Sequence, residues 1–176
     1  MTVFETERLV VRPWTDGAED LARILDIYSR VEVVRWLGNP NPMATLDEAR
    51  AAVGRWSAIT AEDGRFGVWA LQRRDDGQAL GSVLVKYLPN SDGTPPVDVE
   101  VGWNLHPDAW GNGYATEGAR GAVEHAFAQG VTELFAVVRP GNEPSLAVCR
   151  RLGMTPLGRT ARWYDLELEA FAKQRQ

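Results

Sequence analysis

Apolar and polar residues alternate along the chain with two different periods, which predicts helices and strands in mixed order. Apolar residues three or four apart mark one face of a helix, whereas apolar residues at every second position, or in a short unbroken run, mark a strand. Thr45 and Glu48 form the pattern of a capping box at the start of the second helix. The predicted strands are 9–14, 66–72, 80–88, 97–105, 134–138, 154–158 and 162–168, and the predicted helices are 16–28, 45–60, 112–129 and 142–152.

The strand at 97–105 separates its residues onto two unlike faces. Val99, Val101 and Trp103 share one face, and Asp98 and Glu100 lie on the other. The next strand is a continuous apolar run, which is typical of a strand buried on both faces. Because a helix lies between these two strands, they form a predicted βαβ unit with parallel strands. We therefore expect an α/β fold of layers packed on one sheet.

Length and composition narrow the class of protein. The 176 residues contain no repeat and no long linker, so we expect a single domain over residues 1–176. With one cysteine, Cys149, and two histidines, the chain offers neither a disulfide pair nor a Cys/His zinc cluster, and we expect no metal.

Charge and hydropathy exclude further classes. A net charge of −5 argues against a nucleic-acid partner, which needs a basic face. No stretch is apolar enough to span a membrane, so we expect no membrane partner. The first residues lack the apolar core of a signal peptide, and the expected localisation is therefore cytoplasmic.

A glycine-bearing turn joins the strand at 97–105 to the following helix. Gly111 and Gly113 let the backbone turn tightly, and the free N–H groups at a helix start form an anion site that suits a pyrophosphate. The Walker pattern is absent, and the dinucleotide fingerprint fails at its third position, Thr116. On spacing alone, the turn is either a phosphate site or a local helix cap.

The residues of this turn resemble a known signature. Residues 110–117 read Trp-Gly-Asn-Gly-Tyr-Ala-Thr-Glu, which is similar to the coenzyme-A motif of the GNAT superfamily of N-acetyltransferases, in its Rim-type branch that acts on ribosomal-protein N-termini. Segments 6–13, 142–145 and 152–154 also resemble that branch, in the same order along the chain. The resemblance implies a mixed, mostly antiparallel sheet of about seven strands. Helices would flank both faces, and the sheet would be splayed between the fourth and fifth strands.

The resemblance also implies acetyl-CoA as co-substrate, held largely by backbone groups. The pantetheine arm would lie in the splay, where an N–H near Leu105 polarises the thioester carbonyl. The implied cofactor contacts are Trp103, Asn104, Leu105, Trp110, Gly111, Asn112, Gly113, Tyr114, Ala115, Thr116, Asn142 and Ser145.

Two side chains are implied to handle protons. Glu100 would be the general base for the attacking amine, directly or through water, although an ordinary solvated carboxylate would fit the same position. Ser145 would protonate the leaving thiolate, although a helix-terminal serine can instead bond the backbone. Cys149 stands where many GNAT enzymes carry a tyrosine, and we interpret it as a small core residue.

The implied reaction is acetyl transfer to a primary amine, and the leading acceptor is the α-amine of a protein or peptide N-terminus. The same chemistry on an amino acid, a polyamine or an antibiotic is an alternative, as is an inactive coenzyme-A-binding module. The presence of both Glu100 and Ser145 speaks against the inactive module. We expect the acceptor side to be built from residues 31–44 and the loop near Trp163, in a monomer or homodimer.

Overall fold

Eight strands form one sheet in the computed structural model, which describes all of residues 1–176. The strands are β1 (Phe4–Glu5), β2 (Leu9–Pro13), β3 (Gly67–Arg73), β4 (Ala79–Tyr87), β5 (Val99–Leu105), β6 (Glu133–Val138), β7 (Thr155–Thr160) and β8 (Leu168–Gln174). Their order across the sheet is β1-β2-β3-β4-β5-β6-β8-β7. Every neighbouring pair is antiparallel except β5 and β6, which are parallel. The expected mixed and mostly antiparallel sheet is therefore confirmed.

Helices cover both faces of this sheet. They are α1 (Ala18–Tyr28), α2 (Val31–Val34), α3 (Leu46–Glu62), α4 (Tyr114–Ala128) and α5 (Glu143–Arg151). The predicted capping box is present at α3, where the Thr45 hydroxyl accepts from the Glu48 amide and the Glu48 carboxylate accepts from the Thr45 amide.

Three apolar clusters pack on the sheet, and the two larger ones result from the alternation of side chains along the strands. Trp69 and Leu71 of β3 point into the larger core with α4 and α5, whereas Ala70 between them points into the smaller core with α1 and α3. On β5 the residues Val99 and Val101 also belong to the larger core. The polar face of β5 is thereby turned toward the side of α1, α2 and α3.

The sheet parts between β5 and β6. β4 and β5 pair over the full length of β5, from Val99 to Leu105, but the registered pairing of β5 with β6 is confined to Glu100 and Phe135. The fourth and fifth predicted strands, 97–105 and 134–138, correspond to β5 and β6, so the sheet parts where the splay was predicted. Beyond Glu100, the edge of β5 is therefore free to pair with something else.

The structure adds one strand to those predicted and corrects another. A short strand, β1, precedes the first predicted one and was missed because only two residues form it. The predicted strand at 162–168 is wrong: the strand there is β8, which begins at Leu168, and the residues before it form a loop. Tyr164 and Asp165 have φ of 61° and 54°, a left-handed conformation that a strand does not accommodate.

Candidate active site

A cleft of about 740 Å³ opens where β5 and β6 part. Its walls come from elements on both faces of the sheet, so the cleft passes through the splay. On one side it is lined by α2 and α3 with Trp36 and Trp56, and on the other by the starts of α4 and α5 with Ala115 and Ser145. A volume of this size suits a ligand of the dimensions of a cofactor or drug.

The backbone of β5 borders this cleft with groups that β4 does not pair. The His106 amide donates to the Leu80 carbonyl of β4. Because N–H and C=O groups alternate in direction along a strand, those of Leu105 and Trp103 point away from β4, toward the splay. An extended chain could add to this edge as a further strand. The buried Asn104 Oδ1 has no hydrogen-bond partner in the chain and lines the same cleft.

The turn before α4 presents a second set of free donors. Gly111 and Gly113 have φ of 76° and 80°, which glycine adopts without strain. The first N–H that bonds within the helix is that of Glu117, which donates to the Gly113 carbonyl at 3.0 Å. No side chain caps the helix start, so the N–H groups of the first turn remain available to an anion.

Trp110 fixes the position of the turn relative to β5. Its indole Nε1 donates to the Leu105 carbonyl at 2.9 Å, while the residue stays 49% exposed. The Asn112 side chain donates to the Trp110 carbonyl at 2.9 Å and so closes the turn from within. Trp110 and Asn112 therefore shape the turn, and the free donors that it presents are backbone groups.

Arg8 braces the same turn and was missed by sequence reasoning. Its guanidinium donates to the Asn112 carbonyl at 3.0 Å and to the Glu117 carboxylate at 2.7 Å, and it lies over the Tyr114 ring at 4.5 Å. Burial acts to raise the pKa of Glu117, but hydrogen bonds from the Thr6 hydroxyl and from Arg8 outweigh it, and that pKa is lowered. The segment 6–13 that resembles the Rim-type branch contains both Thr6 and Arg8, and both donate to the Glu117 carboxylate. That segment was the sequence signal from which Arg8 could have been found.

Glu100 is buried in the wall of the cleft, on the polar face of β5. The Tyr164 hydroxyl donates to Glu100 Oε2 at 2.5 Å, and Lys86 Nζ lies 3.5 Å from the same oxygen. Lys86 also donates to the Tyr164 hydroxyl at 2.6 Å and faces Glu100 in the β4–β5 register. We name Glu100, Lys86 and Tyr164 the carboxylate cluster.

Tyr164 reaches this cluster from the loop before β8. Burial raises the pKa of Tyr164, and the adjacent negative charge of Glu100 raises it further. The phenol therefore keeps its proton at neutral pH and acts as a hydrogen-bond donor to the carboxylate. Its left-handed backbone, which is costly for an aromatic residue, holds the side chain in this direction. Neither Tyr164 nor Lys86 belonged to the predicted site.

The start of α5 contributes two predicted residues. Asn142 is buried, and its Oδ1 accepts from the Ser145 amide at 3.4 Å, so it caps the helix. The Ser145 side chain is half-buried at the cleft and its hydroxyl bonds no group of the chain. The interpretation of Cys149 as a core residue is confirmed, since the thiol is fully buried and burial raises its pKa to about 12.

Most of the predicted site residues meet at the cleft. Glu100, Trp103, Asn104, Leu105, Trp110, Ala115, Asn142 and Ser145 line it. The other predicted contacts, Gly111, Asn112, Gly113, Tyr114 and Thr116, form the turn and first helical residues beside it and do not line the cleft itself. No cluster of three or more His, Cys, Asp or Glu side chains could hold a metal ion, and none of the helices is long and apolar enough to cross a membrane.

Comparison with known families decides the assignment. The sequence pattern of the family described as the acetyltransferase (GNAT) domain matches residues 8–155, which include the turn, β5 and α5. The chain belongs to the GNAT acetyltransferase family.

Relatives of this GNAT acetyltransferase resemble it over their whole length. The Bacillus subtilis protein called uncharacterized N-acetyltransferase YoaA is 27% identical over 183 residues, covering 99% of this chain and 98% of YoaA. A Salmonella typhimurium acetyltransferase that modifies the N-terminal serine of the 50S ribosomal protein L7/L12 has a TM-score of 0.79 at 14% identity, with 100% of both chains covered. AAC(6')-Ib, solved with ribostamycin and coenzyme A, has a TM-score of 0.76 at 18% identity, covering 97% and 95%. At these identities the two structures establish the shared fold alone.

Proposed function

We propose that this GNAT acetyltransferase transfers the acetyl group of acetyl-CoA to the α-amine of a protein or peptide N-terminus, with Glu100 as general base. The observation that carries the proposal is the carboxylate cluster, in which a buried carboxylate faces the cleft at the point where the sheet parts. The Salmonella enzyme of the same fold, which modifies an N-terminal serine, supports the choice of acceptor.

The residues of the cleft fit acetyl-CoA. The free N–H groups at the start of α4 would hold the pyrophosphate, and Arg8, paired with Glu117, would keep the turn that presents them in place. The edge of β5 at Trp103 and the Leu105 N–H would face the pantetheine amides, because the Leu105 carbonyl already accepts from the Trp110 indole. The co-substrate supplies the acetyl thioester, and an N–H near Leu105 would donate to its carbonyl oxygen.

Glu100 would remove a proton from the attacking amine. The Tyr164 hydroxyl fixes the carboxylate, and Lys86 compensates its charge, so the base is held in one orientation. An α-amine has a pKa of about 7.7–8.0, so roughly a tenth is neutral at pH 7, whereas a lysine amine is neutral in less than about one part in a thousand. A terminal amine therefore demands less of the base than a lysine side chain.

Ser145 would protonate the leaving thiolate. Its hydroxyl has no partner in the chain and lies at the cleft near the start of α5, so it is free to donate to a ligand. Asn142 beside it is already engaged as a helix cap and would act by positioning the first turn of α5.

Acetylation of a small amine is the second candidate. The acceptor side of the cleft is walled by the aromatic rings of Tyr28, Trp36 and Trp56, which suit a small flat or aliphatic molecule. The structure of AAC(6')-Ib with ribostamycin is an instance of this fold with a small amine bound. A module that binds coenzyme A without turnover is disfavoured because both Glu100 and Ser145 line the cleft.

The test is coenzyme A release from acetyl-CoA over a panel of acceptors, with Ser145→Ala and its surface control Ser57→Ala measured alongside. The panel holds N-terminal peptides, lysine peptides, amino acids, polyamines and aminoglycosides. We expect turnover of free α-amines, a reduced rate for Ser145→Ala, and no change for Ser57→Ala. Turnover confined to lysine or to aminoglycosides would refute the acceptor assignment. An absence of thermal stabilisation by acetyl-CoA would refute the cofactor assignment.

A further inference from the structure

Two arginines at the acceptor side of the cleft have no anionic partner. Arg35, which follows α2, and Arg55, on α3, both line the cleft, and no carboxylate of the chain lies within 4.0 Å of either guanidinium. Nine of the seventeen arginines form ion pairs, namely Arg8, Arg12, Arg23, Arg30, Arg65, Arg73, Arg74, Arg159 and Arg162. Of the eight that do not, Arg35, Arg55 and Arg139 line the cleft.

The other charged side chains at this side of the cleft are already engaged. Lys86 faces Glu100 within the carboxylate cluster, and Arg139 donates from Nε and from an Nη to the Leu37 carbonyl at 3.0 and 2.8 Å. Glu32 also lines the cleft, and its oxygen lies 3.8 Å from Arg30. The local charge is therefore positive at Arg35 and Arg55, although the whole chain carries a net charge of −5.

Arg35 is held in place in its unpaired state. Its guanidinium lies 4.6 Å from the centre of the Trp36 ring, and that ring also lines the cleft. Stacking on tryptophan leaves the N–H edge of a guanidinium free to donate to a carboxylate. The cation is thus supported by the cleft wall and its donors are not consumed.

We propose that the acceptor carries a carboxylate in addition to its amine, and that Arg35 and Arg55 bind this carboxylate while the amine faces Glu100. This inference rests on the proposed function, because it concerns the acceptor of the same cleft. The carboxylate has two possible sources, the free α-carboxylate of an amino acid and an acidic side chain that follows the N-terminal residue of a peptide. Polycationic acceptors, such as polyamines and aminoglycosides, meet like charge at this side and bind poorly.

The experiment compares acceptors that differ only in charge. One arm uses peptides with serine at the N-terminus, in which Asp, Asn or Lys is placed at the second, third or fourth position in turn. The other arm compares free serine with serinamide. Each is measured with wild type, Arg35→Gln, Arg55→Gln and Arg55→Glu. The matched control is Arg50→Gln, which removes the same charge from α3 at an exposed position that does not line the cleft.

We expect wild type to favour the carboxylate-bearing acceptor by roughly fivefold to tenfold in kcat/KM for each arginine engaged. Each glutamine variant should lose its share through KM. Arg55→Glu should abolish the preference for Asp over Lys, because its carboxylate offsets the charge of Arg35. Arg50→Gln should behave as wild type. A preference for serine over serinamide identifies an amino acid, and a preference confined to Asp peptides identifies an acidic N-terminus. Equal preferences in wild type and both glutamine variants would overturn the proposal.

A binding readout separates this inference from the proposed function. The affinity of the Asp peptide, followed by the quenching of tryptophan fluorescence, does not require turnover. If no α-amine is acetylated but the affinity still falls in Arg35→Gln and Arg55→Gln, the proposed function is wrong and the carboxylate site stands. If the affinity is the same in wild type and both variants, the carboxylate site is wrong whatever the turnover.

Discussion

Replacing Glu100 by glutamine removes the negative charge that Lys86 faces. This change should lower both the thermal stability and the acetyl-transfer activity, and the two effects can be measured separately. The two charged atoms lie 3.5 Å apart, and the side chains are only 24% and 10% exposed. Two unit charges about 4 Å apart interact by about 4 kcal/mol at an effective dielectric constant of about 20. Solvent contact at Lys86 and the cost of desolvating both groups reduce the net value, so we expect a loss of about 1–2 kcal/mol.

In a chain of this length, about 1 kcal/mol shifts Tm by about 2–4 °C, so Glu100→Gln should lower Tm by about 2–8 °C. If Glu100 is the general base, kcat/KM should fall by about 10²–10⁴-fold as well. The second change, Lys86→Met in the Glu100→Gln background, removes the uncompensated cation. It should restore most of the lost Tm because the half-buried methionine needs no partner.

The double variant decides between a chemical and a structural role for Glu100. Tm is followed by circular dichroism, and activity by coenzyme A release with a peptide acceptor. Activity that stays low after Tm has recovered is the result expected of a base. Activity that recovers together with Tm would show that Glu100 acts only through packing and would refute our reasoning. Glu124→Gln, on the exposed surface of α4, is the control for loss of a carboxylate.

Three further predictions concern packing and titration. At Gly81 a Cβ would lie 2.1 Å from the Asn104 carbonyl oxygen, so Gly81→Ala should destabilise the fold by about 1–3 kcal/mol in urea unfolding. The control is Gly54→Ala, which has open space on α3 and should be neutral or stabilising by up to about 1 kcal/mol. Similar urea midpoints for the two variants would contradict the predicted clash. Because burial raises the pKa of the Cys149 thiol to about 12, a thiol reagent at pH 8 should modify native protein far more slowly than unfolded protein, and equal rates would mean that the thiol is accessible. Burial acts to raise the pKa of Asp20, but the hydrogen bonds that the carboxylate accepts outweigh burial and lower this pKa below the unfolded value of about 3.9. The stability that Asp20 contributes is therefore present above about pH 4 and is lost as pH falls through the folded pKa. Asp20→Asn should flatten the fall of Tm at acid pH, and an unchanged fall would exclude this role.

The elements of the fold and the location of the turn could be predicted from the sequence because they depend on neighbours along the chain. Hydrophobic period placed most of the helices and strands, and the capping box at Thr45 is local by nature. Alternation on β5 placed Glu100 on the polar face before any packing was known. The glycines before α4 marked the free N–H groups for the same reason, since backbone conformation there is set by residue type.

The surroundings of these residues were decided by tertiary structure alone. Tyr164 donates to Glu100 across 64 residues, and Arg8 donates to Glu117 across 109, so no period or spacing relates these pairs. The segment from Arg162 to Leu168 alternates as a strand does, but two left-handed residues turn it into the loop that brings Tyr164 to the cleft. Periodicity reports which face a residue prefers. It carries no information on which distant segment will cover that face, because that choice is made by packing the whole chain at once.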